Sequence, residues 1–192
     1  LAILAEDLEK SPILGGLGIG HTRWATHGEP SDVNSHPHFN MDRTIAVVHN
    51  GIIENYMELK EELQAEGVVF LSQTDTEVIP NLVDYYYEGD LFEAVVKATS
   101  KLEGSFAIGV IAKNEPDKIV AVRKDSPLVV GLGEGENFIA SDIPAILKYT
   151  RNVYFLENGE FVHIVGDKLT ILDENRNCLL YTSPSPRDRS LS

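Results

Sequence analysis

The chain has 192 residues with a formal net charge of -14, and 43% of them are hydrophobic, which is enough to fill the core of one domain. The acidic balance argues against nucleic acid or an anionic membrane as a partner, since both attract basic surfaces, and no apolar run approaches the roughly 20 residues of a membrane-spanning helix. A single cysteine, Cys178, excludes an internal disulfide and predicts a cytoplasmic protein.

Hydrophobic spacing predicts one helix at the start of the chain. Leu1, Leu4 and Leu8 lie on one face of that helix, and because it begins without a starting methionine we expect an N-terminally truncated domain. A short strand is predicted at 17–19. Residues 29–40 are polar and rich in turn formers, which is typical of a surface loop.

The first buried strand is predicted at 44–49, where the apolar residues are mostly β-branched. Asn50 and Gly51 follow this strand directly. Because a helix is predicted at 56–66, the two residues are expected at a strand-to-helix corner, with backbone N–H groups that face a ligand. A short strand at 68–71 is predicted after the helix.

Two more helices are predicted to follow one another. The first, at 75–87, starts with a capping box in which Thr74 is the N-cap and Glu77 stands three residues later. Pro80 lies inside this helix and is expected to bend it, because proline removes a backbone hydrogen bond. The second helix is predicted at 90–102.

The second half of the chain changes to the two-residue period of β-strands. Strands are predicted at 105–112, 118–123, 128–132, 137–140, 153–156, 161–165 and 168–172, with a short helix after Asp142. Residues 157–160 read Glu-Asn-Gly-Glu, which is typical of a hairpin between the flanking strands. Since the helices arrive together rather than alternating with strands, the predicted fold class is α+β. Residues 179–192 have no apolar period and are expected to be disordered or foreign to the protein.

Histidines are concentrated near the start of the chain. Five of the six fall between residues 18 and 56, namely His21, His27, His36, His38 and His49. A metal site is one interpretation, but this stretch has no His-x-x-x-His pair on a helix and no carboxylate at a fixed spacing, so no metal is predicted. The other interpretation is that most of these rings make hydrogen bonds in loops and core, above all His36 and His38.

Four residues together suggest a site for an amino acid. Arg23 offers a planar fork for a carboxylate, and Asp75 offers a negative charge for an ammonium. Asn50 and the Gly51 N–H offer two donors to an oxyanion. Taken singly, these residues have plainer interpretations: a surface ion pair, a helix-dipole contact and a common turn. The set predicts acyl transfer, yet no nucleophile is evident, because Cys178 lies near the tail.

Three motifs in order resemble one enzyme family. Residues 20–39 read GHTRWATHGEPSDVNSHPHF, residues 47–56 read VVHNGIIENY and residues 74–78 read TDTEV. They closely resemble the glutaminase domain of glutamine–fructose-6-phosphate aminotransferases (isomerizing), and the similarity extends over residues 1–172. The resemblance implies a four-layer α/β/β/α sandwich of the N-terminal-nucleophile hydrolase type over residues 1–178. It also implies a nucleophilic N-terminal cysteine, which this sequence lacks, so the chain by itself is expected to be inactive.

The resemblance further implies roles for individual residues. Arg23 would bind the α-carboxylate of glutamine, and Asp75 would bind its α-ammonium. Asn50 and Gly51 would form the oxyanion hole. Trp24, Thr26 and His27 would line the glutamine pocket. His36 and His49 would contact the residues that line it.

The activity implied by the resemblance is hydrolysis of L-glutamine to glutamate. The ammonia would pass to a sugar-isomerase domain, absent from this chain, that converts fructose 6-phosphate to glucosamine 6-phosphate. No cofactor is implied, and the intact enzyme would be a homodimer. Three alternatives stay open: another class II glutamine amidotransferase with a different acceptor, a metal-dependent hydrolase that uses the histidines, and a non-catalytic glutamine-binding module.

Overall fold

The computed structural model describes residues 2–22, 29 and 31–182, and its fold is α+β. The helices are α1 (Ala2–Lys10), α2 (Tyr56–Ala65), α3 (Val78–Tyr85) and α4 (Leu91–Thr99), with a 3-10 turn at Ile143–Ala145. The strands are β1 (His38–Phe39), β2 (Ile45–Ile53), β3 (Gly104–Ala112), β4 (Glu115–Lys124), β5 (Val129–Leu132), β6 (Asn137–Ala140), β7 (Val153–Phe155), β8 (Phe161–Val165), β9 (Lys168–Leu172) and β10 (Cys178–Tyr181). No helix in these described ranges is long and apolar enough to cross a membrane.

The larger sheet has seven antiparallel strands in the order β1-β2-β3-β4-β8-β9-β10. Strands β2 and β3 stay in register from Ile45 opposite Ala112 to Ile53 opposite Gly104. On its other edge β2 pairs with the two-residue strand β1, which reaches only to Val47. Beyond Val47 this edge of β2 has no strand partner among the described residues, so its backbone groups are available to other parts of the chain or to a ligand.

The smaller sheet, in the order β6-β5-β7, packs on one face of the larger sheet. Buried apolar side chains from both sheets fill the space between them: Ala107, Ala121, Leu128, Val130, Leu156, Val162, Ile164, Leu169 and Ile171. Gly109 of β3 marks a close approach, since a Cβ there would stand 2.9 Å from the side chain of Ile139 on β6. A larger residue at this position would require the side chains of Ile139 and Val48 to move.

Helices α2, α3 and α4 cover the opposite face of the larger sheet, where they form the largest core with β2, β3 and β4. Helix α4 starts at an Asp90 N-cap, whose carboxylate accepts hydrogen bonds from the N–H groups of Phe92 and Glu93. Gly67 follows the end of α2 with a φ of 93°, as a C-terminal glycine does. The described residues therefore supply three layers, helix on sheet on sheet, of the four that were predicted.

Most predicted elements form close to their expected positions, including α1, α2, α4 and the strands from β3 to β9. The short strands predicted at 17–19 and 68–71 do not form within the described residues. The predicted surface loop is also partly wrong, because Asn34, His38 and Asn40 are buried. Polar composition alone did not reveal that these side chains hold the loop against the fold.

The hairpin predicted at 157–160 is wrong. Strand β7 belongs to the smaller sheet and β8 to the larger one, so this segment crosses between sheets. Asn158 bonds to the end of β4 instead: its Nδ2 donates to Asp125 Oδ1 at 2.6 Å, and its Oδ1 accepts from the Asp125 N–H at 2.9 Å. The Asn-Gly pair still makes a turn, but packing between distant strands decides which sheet each side joins.

The capping box predicted at Thr74 and Glu77 is also wrong. Helix α3 begins at Val78, and the Glu77 carboxylate accepts hydrogen bonds from the backbone and the hydroxyl of Ser72. Because the helix starts later than predicted, Pro80 falls in its first turn, where the N–H has no partner in the helix in any case. The bend predicted at Pro80 therefore has no cause.

The C-terminal boundary predicted at residue 178 falls inside a strand. Strand β10 pairs with β9 through Leu180 opposite Ile171 and Tyr181 opposite Thr170. Regular structure therefore continues past that boundary. Residues 183–192, which make up most of the predicted disordered or foreign tail, lie outside the described residues.

Candidate active site

Asn50 and Gly51 lie inside strand β2, so the strand-to-helix corner predicted for them is wrong. Directly after β2, the Glu54 N–H donates a hydrogen bond to Glu103 O at 2.9 Å. Because hydrogen-bonded pairs alternate along antiparallel strands, the backbone groups of the even-numbered residues of β2 bond to β3. The backbone groups of the odd-numbered residues point toward the opposite edge of β2. The Asn50 backbone is therefore bonded to Ala107, while the N–H of Gly51 points toward the open edge of β2. Only one of the two backbone donors predicted here therefore points away from β3, where a ligand could reach it.

The backbone at Gly51 requires glycine. Its φ is 128°, in a region that other residues rarely adopt, and a Cβ would overlap the carbonyl oxygen of Ser105. The close pairing of β2 with β3 therefore explains the Asn-Gly sequence here, rather than a tight turn. Any side chain at this position would disturb the strand that carries the candidate oxyanion donors.

Asp75 lies beside the same edge of β2. It is buried, with 6% of its surface exposed, and its Oδ2 accepts a hydrogen bond from the Ile53 N–H at 2.8 Å. The N–H groups of Gly51 and Ile53 point to the same side and are about 7 Å apart, the spacing of two residues along a strand. A carboxylate and an N–H donor thus flank one stretch of strand edge. This arrangement suits a ligand with an ammonium at one end and a carbonyl at the other.

The loop that carries Asp75 is held by buried polar side chains. Glu77 accepts hydrogen bonds from the N–H and the hydroxyl of Ser72, both at 2.6 Å. Since a carboxylate only accepts, the Ser72 oxygen in turn accepts from the Thr74 hydroxyl at 3.0 Å. The Thr74 oxygen then accepts from His38 Nε2 at 3.1 Å. This chain of hydrogen bonds fixes the loop before α3 in one conformation.

His49 lies on β2 and is buried, with 4% of its surface exposed. Its Nδ1 is 2.9 Å from the Thr76 hydroxyl oxygen. Burial lowers the pKa of the His49 ring from 6.5 to about 4, although the nearby Asp75 carboxylate acts in the opposite direction. Its Nε2 has no hydrogen-bond partner among the described residues, although the Ser105 backbone, like Asp75, acts to raise the pKa. The ring is therefore neutral under physiological conditions.

Three more imidazoles form a row that leads to Asn50. His21 Nε2 is 2.7 Å from Asn50 Oδ1. The ring of His21 lies on that of His36 with 4.2 Å between centroids, and His36 meets His38 in a T-shaped contact at 4.9 Å. Since His38 is also bonded to Thr74, the row connects the loop before α3 to the side chain of Asn50. The bond from His38 to Thr74 is of the kind predicted for it, a hydrogen bond between loop residues in a buried setting.

These rings do not have the arrangement of a metal centre. In the parts of the chain that the structure describes, no group of three or more His, Cys, Asp or Glu side chains is placed to hold a metal ion. A metal needs ligand nitrogens that converge on one point, and the described imidazoles do not form such a group. The geometry gives no support to the metal-dependent hydrolase.

The structure brings together five of the residues predicted for the site: Asn50, Gly51, Asp75, His36 and His49. The other four lie outside the described residues, so their placement stays a prediction: Arg23, Trp24, Thr26 and His27. Sequence reasoning missed the residues that orient the site: His21, His38, Thr74, Thr76 and Glu77. A signal was present, because all five of these residues fall in the stretches 20–39 and 74–78, which carry two of the family motifs.

Comparison with known protein families accounts for this arrangement. A family model described as a glutamine amidotransferase domain matches residues 21–148, which is more than half of the 192 residues and includes every predicted site residue. The chain belongs to this family. The matched residues include helices α2, α3 and α4 and strands β1 to β6.

Two curated relatives of this glutamine amidotransferase domain have the same name. The glutamine–fructose-6-phosphate aminotransferase [isomerizing] of Clostridium perfringens is 67% identical over 177 residues, which are 92% of this chain and 29% of that protein. The protein of the same name from Aquifex aeolicus is 59% identical over 80% of this chain and 26% of its own length. The family resemblance drawn from the motifs is confirmed. The chain spans less than a third of the length of these relatives.

Solved structures of glutamine amidotransferases share the fold. The glutamine phosphoribosylpyrophosphate amidotransferase from B. subtilis superposes with a TM-score of 0.68 at 23% identity, covering 82% of this chain and 35% of that one. A glutamine aminotransferase class-II domain protein from Silicibacter pomeroyi gives a TM-score of 0.53 at 15% identity, with 68% of each chain covered. At these low identities, the two similarities are evidence for a shared fold and for nothing more. They agree with the predicted fold class, α+β.

Proposed function

We propose that this chain is the glutamine-hydrolysing domain of an enzyme that makes glucosamine 6-phosphate from fructose 6-phosphate. The observation that carries the proposal is the open edge of β2, where the Gly51 N–H and the Asp75 carboxylate are held on the same side. The name of the relatives contains the two proposed substrates, glutamine as the amino donor and fructose 6-phosphate as the acceptor.

L-Glutamine has the charge pattern that this edge requires. Its α-ammonium would pair with Asp75, and a charge-assisted hydrogen bond is strong in such a buried setting. Its side-chain carboxamide would then extend along β2 toward Gly51. Arg23 would hold the α-carboxylate, a role that rests on the sequence motif. Three further residues would line the pocket on the same ground: Trp24, Thr26 and His27.

The proposed oxyanion hole consists of the Gly51 N–H and the side-chain amide of Asn50. When a thiolate attacks the carboxamide carbon, the carbonyl oxygen gains a negative charge, and two fixed donors stabilise that charge more than the neutral ground state. The attacking group would be the N-terminal cysteine implied by the family resemblance, with its own α-amino group as the base. The C–N bond of the tetrahedral intermediate then breaks, ammonia leaves, and water hydrolyses the thioester to glutamate.

The acceptor reaction belongs to the whole enzyme. Fructose 6-phosphate would bind a sugar-isomerase domain outside this chain, which spans 29% of its Clostridium perfringens relative. We propose a homodimer without a cofactor, in the cytoplasm. The single cysteine among 192 residues supports a reducing compartment.

A hybrid enzyme tests the proposal. In the hybrid, the 177 matched residues of this chain replace their counterparts in the Clostridium perfringens relative. We expect the hybrid to release glutamate from glutamine and to convert added fructose 6-phosphate to glucosamine 6-phosphate, with the unmodified relative as the positive control. A hybrid that folds but performs neither reaction would contradict the proposal, and one that binds glutamine without hydrolysing it would favour the binding module.

The variant Asn50→Ala in the hybrid tests the oxyanion role. We expect kcat for glutamine hydrolysis to fall by roughly 10² or more while KM changes little, because the donor acts on the transition state. The matched control is Asn175→Ala, since Asn175 is exposed in the turn before β10. An unchanged kcat in Asn50→Ala would remove this residue from the mechanism.

A further inference from the structure

The oxyanion role of Asn50 requires one orientation of its side-chain amide. With Nδ2 toward the reacting carbonyl, Asn50 donates a hydrogen bond to the oxyanion, whereas with Oδ1 in that place it would repel the charge. The two ends of the amide are similar in size, so packing alone does not choose between them. A hydrogen-bonding partner must set the orientation.

We infer that His21 is the positioning residue that sets the orientation of the Asn50 amide, an inference that rests on the function proposed above. His21 Nε2 lies 2.7 Å from Asn50 Oδ1. Since a carbonyl oxygen only accepts, Nε2 carries a proton and donates it. No hydrogen bond joins Asn50 Nδ2 to a described residue, so this end of the amide is left for the oxyanion.

The ring of His21 is placed by the row of imidazoles. It lies on His36 with 4.2 Å between centroids and 32° between planes, and His36 meets His38 at 4.9 Å and 78°. At the far end, His38 Nε2 bonds to Thr74 Oγ1 at 3.1 Å, one residue before Asp75. The loop with the ammonium-binding carboxylate is thus connected through three rings to the oxyanion hole.

The tautomer of His21 distinguishes a positioning role from a packing role. A ring that only fills space has no required tautomer. A ring that donates to Asn50 Oδ1 must carry a proton on Nε2. With the proton on Nδ1 alone, Nε2 would be an acceptor, the Asn50 amide would turn to donate to it, and Oδ1 would face the reacting carbonyl.

Nitrogen-15 NMR of the 192-residue chain measures this tautomer without any need for activity. The His21 ring signals are assigned by their absence from the His21→Leu variant. We expect the chemical shift of Nε2 to be that of a protonated ring nitrogen at about pH 8, where free histidine is neutral. A shift typical of an unprotonated Nε2 would overturn the inference.

Kinetics of the hybrid enzyme test the consequence for catalysis. His21→Leu should lower kcat for glutamine hydrolysis roughly tenfold or more and leave KM within about twofold, because the Asn50 amide is then able to turn. His21→Gln keeps an N–H donor and should recover most of the lost kcat. The control is His163→Leu, which removes a ring on β8 and should leave kcat unchanged.

A double-variant cycle separates this inference from its alternatives. In an Asn50→Ala background, His21→Leu should cause no further loss of kcat, because there is no amide left to orient. Equal losses in both backgrounds would show that His21 acts elsewhere and would overturn the inference. If the parent hybrid hydrolyses no glutamine, the proposed function fails, and the tautomer of His21 still decides whether it donates to Asn50.

Discussion

Asp75 Oδ2 accepts the backbone N–H of Ile53 at 2.8 Å across 22 residues of sequence. The bond ties the loop before α3 to the open edge of β2. Ile53 is completely buried, so its N–H would otherwise be left without an acceptor, at a cost of about 1–3 kcal/mol. One carboxylate therefore stabilises the fold and faces the candidate site, and substitution can separate these two roles.

The charge of Asp75 can be removed while its hydrogen bond to Ile53 is kept. Asp75→Asn retains a carbonyl oxygen for the Ile53 N–H but has no charge for an ammonium. By isothermal titration calorimetry we expect the Kd of L-glutamine to rise roughly 10- to 100-fold. The control ligand is glutaramate, which is glutamine without its amino group, and its affinity should be equal for both chains. An equal loss with both ligands would show that Asp75 does not contact the ammonium.

The requirement for glycine at position 51 predicts a large loss of stability in Gly51→Ala. The new Cβ would overlap the carbonyl oxygen of Ser105, and the φ of 128° is unfavourable for alanine. We expect the free energy of unfolding in urea to fall by about 3 kcal/mol or more. Gly67→Ala is the control, because Gly67 also has a positive φ of 93° but nothing lies within 4 Å of a Cβ there. Its loss should be only about 1 kcal/mol, and similar losses in both variants would refute the clash at Gly51.

Burial of His49 predicts that stability falls in acid. The unfolded chain binds the ring proton near pH 6.5 and the folded chain only at about pH 4. Between these values the unfolded state binds more protons, so the free energy of unfolding rises with pH. The contribution of His49 to the free energy of unfolding is complete above pH 6.5 and is lost as the pH falls toward 4. The free energy of unfolding changes by roughly 3 kcal/mol over this window.

Urea unfolding across this pH window measures the effect. His49→Asn should give a flatter dependence of the unfolding free energy on pH than the parent chain. The pKa of His163 is also lowered, chiefly by its burial, but His163 contributes equally to both chains and cancels in the comparison. Parallel curves for parent and variant would contradict the neutral, buried state of His49.

The hydrogen bonds of Glu77 predict that it stabilises the loop before α3. Glu77→Gln replaces one accepting oxygen with an NH2 group, which cannot accept a hydrogen bond. The variant therefore loses either the bond that Leu71 donates to Oε1 or the two bonds that Ser72 donates to Oε2. We expect the free energy of unfolding to fall by about 2 kcal/mol. Glu88→Gln is the control, since that side chain is 84% exposed and its ion pair with Lys97 contributes little. If the two variants lose the same stability, the Glu77 contacts are not important to the fold.

Local patterns predicted the strands of the second half well. The bounds of β6, β8 and β9 are those expected from the sequence, because each is a short β-prone run between turn residues. The errors arose where a side chain bonds to a residue outside the predicted motif, five residues before Glu77 in one case and 33 residues before Asn158 in the other. Glu77 was expected to cap its own helix but bonds to Ser72, and Asn158 was expected in a hairpin but bonds to Asp125. Neither the capping-box pattern nor the hairpin pattern includes those partners.

The sequence by itself determined the family and the predicted site residues, because the residues that distinguish the family lie in short contiguous motifs. Only the tertiary structure decided how these residues act. The register of β2 against β3 decides that the N–H of Gly51, and not that of Asn50, points to the open edge. Burial decides that His49 is neutral, and the contact between His21 and Asn50 joins residues 29 positions apart. Register, burial and long-range contacts depend on segments that meet only when the chain folds.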